Sequence, residues 1–145
     1  MHTATDLTPV RRHRHLGFAA GNLPVSEGLA FTRQVLADWH LAPSRFADDV
    51  QLVAAELLTN AVRHAGGALA LDIAQYGHCL RIAVTDPASS TDLPRPGWPR
   101  SGRIGGYGLV IVERLALRWG ASSAGRGKTV WADLGPLPPP AVPST

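Results

Sequence analysis

The chain has 145 residues, 45% hydrophobic and 17% charged, enough for one globular domain with a real core and unlike the composition of a disordered polypeptide. Its single cysteine, Cys79, excludes an internal disulfide and a cysteine-based metal cluster, and no apolar run approaches the roughly 20 residues that a spanning helix requires. The net charge is +3, but the basic residues are scattered apart from Arg11, Arg12, His13, Arg14 and His15, which argues against a nucleic-acid surface.

With no apolar leader at the N-terminus and one cysteine, the expected location is cytoplasmic, with no membrane partner. Residues 1–11 read as a flexible leader and 12–135 as the folded domain. Residues 136–145, with Pro136, Pro138, Pro139, Pro140 and Pro143, read as a disordered tail that cannot form a regular element.

Within the domain, alternation over Arg12 to Ala20 is a weak strand signal. From Val25, apolar positions recur at three and four residues through Leu29, Leu36 and Trp39, the pattern of an amphipathic helix. Ser44 is placed to cap a second helix, with Asp48 and Asp49 in its first turn and Gly66-Gly67 at its end. Two β-rich runs follow, Ala68 to Gln75 and Leu80 to Thr85, joined through Tyr76-Gly77-His78 as a hairpin.

Residues Asp86 to Gly105 lack periodicity and form a long loop, of the length often used as a lid. A third helix is expected to open at Gly106 to Gly108, carry Leu109, Val112, Leu115, Ala116 and Trp119, and stop at Gly120. The last segment, Ala121 to Leu134, reads as two strands around Gly125-Arg126-Gly127. The order β, α, α, β, β, loop, α, β, β indicates an α+β two-layer sandwich, its mostly antiparallel mixed sheet covered by helices on one face.

Four places carry candidate chemistry. Glu56 and Asn60 stand one turn apart on the second helix, next to the apolar stripe of Val50, Val53, Leu57 and Ala61. A Glu there can orient or deprotonate a nucleophile, and an Asn oxygen can hold Mg²⁺ beside phosphate; two solvated polar residues on a helix are the bland alternative. Asp86, at a strand end before Pro87, can accept from an exocyclic amine or simply initiate a turn.

Gly105-Gly106-Tyr107-Gly108, opening a helix after a long loop, lets the backbone approach a phosphate or serves as a lid hinge. The run Gly125-Arg126-Gly127-Lys128-Thr129 is not a phosphate-binding P-loop. Ser122 stands where that motif needs glycine, and a strand follows rather than a helix. Lys128 and Thr129 could still touch a ligand from the strand's start, though a plain hairpin turn explains the run by itself.

In order, Glu56-x-x-x-Asn60, Asp86 after a strand, Gly106-Tyr107-Gly108-Leu109 opening a helix, and Thr129 in a late strand resemble the N, G1, G2 and G3 boxes of the GHKL ATPases. These share the Bergerat nucleotide-binding fold of gyrase and histidine kinases. More narrowly, Glu-Leu-Leu-Thr-Asn-Ala-Val-Arg-His-Ala and Gly-Gly-Tyr-Gly-Leu-Val-Ile-Val-Glu-Arg-Leu-Ala-Leu-Arg-Trp-Gly are similar to the anti-sigma-factor serine/threonine kinase branch, over about residues 12–135.

The resemblance implies ATP and Mg²⁺ as cofactors. Asn60 would coordinate Mg²⁺, Glu56 would act as catalytic base and Asp86 would read the adenine amine. Gly106 and Gly108 would hold the lid and phosphates, Thr129 would support the adenine side, and His64 would lie within reach of phosphate unless it is an ordinary helix-end histidine. It further implies phosphorylation of a small antagonist protein, sequestration of a sigma factor, and a homodimer.

The family's G1 box has a glycine two residues after its aspartate, whereas this chain has Ala88, a methyl group that would crowd the adenine or alter the backbone. That departure motivates a non-catalytic partner-binding module with a degenerate ATP site as the alternative. A basic nucleic-acid-binding protein, resting on Arg11 to His15, is the weaker one.

Overall fold

A computed structural model describes residues 9–19, 23–88, 109–125 and 127–139. The element order is β1 (Val10–Gly17), α1 (Pro24–Asp38), α2 (Arg45–Ala65), β2 (Ala70–Tyr76), β3 (Cys79–Asp86), α3 (Val110–Leu115), β4 (Arg118–Ala124) and β5 (Gly127–Leu134). The strands form one sheet in the order β1-β2-β3-β5-β4, every described pairing being antiparallel. This is the α+β arrangement expected from the sequence. No described helix is long and apolar enough to cross a membrane.

The helix layer and the sheet meet through alternation. Leu80, Ile82 and Val84 of β3, and Val130, Ala132 and Leu134 of β5, are buried, while the residues between them in β3 are only partly covered. Val50, Val53, Leu57 and Ala61 form the stripe of α2 that joins this core, with Val35 and Leu36 from α1 and Val112 from α3.

The long helix α2 is fixed at both ends by local chemistry. Ser44 Oγ accepts a 2.9 Å bond from the Ala47 N–H, satisfying a donor that the first turn leaves open. At the other end Gly66 caps the helix with φ 76°, a left-handed conformation that a side chain would resist.

The opposite sheet face is held by a buried carboxylate. Asp133, 3% exposed, accepts two bonds from Arg81, at 2.7 and 2.9 Å, and one from Arg118 at 2.8 Å. The Arg81 guanidinium also lies 4.1 Å from the centre of the Trp131 ring.

That cluster accounts for one correction. The helical spacing predicted α3 to continue to Trp119, but it ends at Leu115 and Trp119 lies in β4, paired with Ala132. The Leu117 N–H donates to the Asp133 carbonyl and Arg118 binds the Asp133 carboxylate, drawing the chain into the sheet. Tertiary pairing overrides a pattern that suits a helix.

Candidate functional site

Five elements converge at one end of the sheet. The register places Gly17, Ala70, Thr85, Thr129 and Ser122 in one row across β1, β2, β3, β5 and β4. The Leu69 N–H donates to the Thr85 carbonyl at 2.7 Å, so the short link from α2 into β2 closes onto the end of β3. Asn60, five residues before the last residue of α2, lies about 8 Å along the axis from that helix end.

Asn60 is 3% exposed, and neither its Oδ1 nor its Nδ2 has a hydrogen-bond partner among the described residues. Burying an amide with both ends unpaired costs free energy that folding alone does not recover. Glu56, one turn earlier on the same helix face, is partly buried; His64, one turn later, is exposed in the last turn.

Asp86 continues the core-facing alternation of Leu80, Ile82 and Val84, so its carboxylate enters the helix side of the sheet and is 1% exposed. Oδ1 accepts from the Ala88 N–H at 2.9 Å and from Lys128 Nζ at 3.1 Å. Lys128 Nζ is nearer still to Oδ2, at 2.9 Å, but off the hydrogen-bonding direction, so Oδ2 is buried without an aligned donor. The methyl group of Ala88 therefore does not prevent a backbone turn that orients Asp86.

Lys128 lies opposite Asp86 in the β3–β5 register and is itself 3% exposed. Gly127 makes this approach possible, since a Cβ there would come within 1.9 Å of the Asp86 carbonyl oxygen.

Thr129 is placed differently from the expectation. It pairs with Thr85 on the face away from the helices, and the two hydroxyls share a 2.9 Å hydrogen bond. A strand alternates faces, so β5 presents Lys128, not the Thr129 side chain, beside Asp86. Of the two residues named for the strand's start, it is Lys128 rather than Thr129 that the strand turns toward Asp86. The run Lys128, Val130, Ala132, Leu134 was the available signal, because the three apolar members mark the core face.

Gly106 and Gly108, assigned to lid and phosphate, lie outside the described residues. A separate groove of about 700 Å³ between α1 and α2, lined by Leu29, Arg33, Leu36, Pro43 and Leu52 among others, shares no residue with this end of the sheet.

A model of the histidine kinase-like ATPase domain matches residues 24–134, and the chain belongs to that family. Comparison with curated proteins gives no significant match. Family membership makes this an ATPase-type domain for which ATP is the implied ligand and Mg²⁺ its usual companion.

The residues fit those groups. Asn60 supplies an uncommitted oxygen for a hard cation and an uncommitted N–H for a phosphate oxygen; Asp86 Oδ2, ion-paired with Lys128, keeps capacity to accept from a further donor. Among the described residues no cluster of three carboxylate, imidazole or thiolate ligands exists. Mg²⁺ held by one amide, water and phosphate oxygens requires none.

Proposed function

We propose that the chain is an ATP-binding regulatory protein of the anti-sigma-factor kinase type, which phosphorylates a serine or threonine of a small antagonist protein and sequesters a sigma factor. The observation that carries the ATP reading is the unpaired Asn60 amide, buried in the second half of α2, the helix that packs against the strand ending in Asp86. Such unsatisfied groups are expected where a ligand completes the bonding.

In this reading Asp86 receives the adenine amino group. Asn60 holds Mg²⁺, which when bound offsets phosphate charge during transfer. Glu56, on the same helix face, accepts the proton of the attacking hydroxyl. The antagonist, sigma factor and homodimer come from the likeness of residues 56–65 and 105–120 to that kinase branch.

Incubating the protein with candidate antagonists and labelled ATP tests the assignment. Label should appear on a serine or threonine of the antagonist, and Glu56→Ala should lower transfer by at least about a hundredfold while ATP still binds. Undiminished transfer in Glu56→Ala would remove Glu56 as base. Sigma-factor binding without transfer would reduce the protein to a sequestering module.

A further inference from the structure

Lys128 is a buried ammonium with three N–H protons, and among the described residues Asp86 is its partner. Nζ bridges both carboxylate oxygens, at 3.1 Å from Oδ1 and 2.9 Å from Oδ2, but one ammonium does not saturate a carboxylate, and Oδ2 keeps lone-pair capacity for a second donor. The Ala88 N–H fixes the carboxylate from the chain side through Oδ1, and the absent side chain of Gly127 brings the two strands together beneath it. A carboxylate oxygen with acceptor capacity left and an ammonium with a proton to spare therefore stand side by side at the end of β3 and β5.

We infer that Lys128 is a specificity-determining residue of the nucleotide site, donating to the adenine ring nitrogen N1 while Asp86 Oδ2 accepts from the adjacent 6-amino group. This rests on the ATP reading above. The chemistry is that of an amidine edge, an N–H donor next to a ring-nitrogen acceptor, and the Asp86 and Lys128 pair presents its complement. Thr129 cannot supply the donor, because its hydroxyl is on the other face with Thr85. The contact is charge-assisted and made away from water, where such bonds are strongest.

Calorimetric titration of the full chain with the Mg²⁺ complexes of ATP, 1-deaza-ATP and purine riboside triphosphate tests this. The wild type should bind 1-deaza-ATP, which lacks N1, about tenfold or more weakly than ATP. Lys128→Met should bind the two alike, and purine riboside triphosphate, which lacks the amino group, should bind more weakly than ATP to both proteins.

Equal affinity of the wild type for ATP and 1-deaza-ATP would overturn the inference while leaving ATP binding intact, and needs no variant to fold. An undiminished N1 effect in Lys128→Met would overturn it as well. Failure of the wild type to bind any of the three would instead defeat the ATP reading, and the inference with it.

Discussion

Lys128 and Asp86 face each other across β5 and β3 with their side chains 4% and 1% exposed and the ammonium 2.9 Å from Oδ2. Removing one partner of a buried ion pair leaves an uncompensated charge, a larger loss than the pair's own net worth. Lys128→Met should accordingly lower stability by about 3–5 kcal/mol. Most of that should return in the Asp86→Leu/Lys128→Met double variant. Urea unfolding of the variants checks both, and a single variant as stable as wild type would show that the pair is open to water.

Asn60 predicts the opposite sign. Its amide is buried without partners, so replacing it with a leucine of similar size removes an unsatisfied group from the core. Asn60→Leu should raise stability by about 1 kcal/mol in urea while abolishing the Mg²⁺-dependent part of ATP binding. A clear loss of stability would mean that the amide is already bonded in the folded protein.

Much of this was legible in the sequence, for local reasons. The Ser44 cap, the Gly66 stop, the α2 stripe and the Gly77 turn each depend on residues a few positions apart, and each element stands where the pattern put it. The extent of α3 was not legible. The strand that replaces its last turn depends on Asp133, fifteen residues from Arg118, and on the Arg81 that shares the carboxylate.

Asp86 was found because a strand end before proline is conspicuous. The sequence offers both Lys128 and Thr129 at the strand's start and the resemblance gives a role to Thr129 alone, although counting faces back from Leu134 through Ala132 and Val130 separates them. The remaining site expectation, Gly106 and Gly108, falls in a segment where pattern alone speaks.

The α1 end contributes a pH-dependent term. A hydrogen bond from Gln34, and then one from Arg14, hold the Asp38 carboxyl below its ordinary range. A depressed folded-state pKa means that this stabilisation is present above about pH 4 and is lost as pH falls through the folded value. Asp38→Asn should therefore be slightly less stable than wild type at neutral pH, with the difference gone once the wild-type carboxyl is protonated. The group is exposed, so the effect is small. Thermal unfolding of both proteins across that range measures it, and a gap that widens toward acid would contradict the sign.

The central claim is that Asp86 at the sheet end and Asn60 in the second half of α2 bind ATP with Mg²⁺. Calorimetric titration of the full chain with ATP, once with Mg²⁺ and once with EDTA, addresses it most directly. Saturable binding at one site per chain, clearly weakened by chelation and weakened again in Asp86→Asn, is the predicted result. No saturable binding up to millimolar ATP in the presence of Mg²⁺ would contradict it.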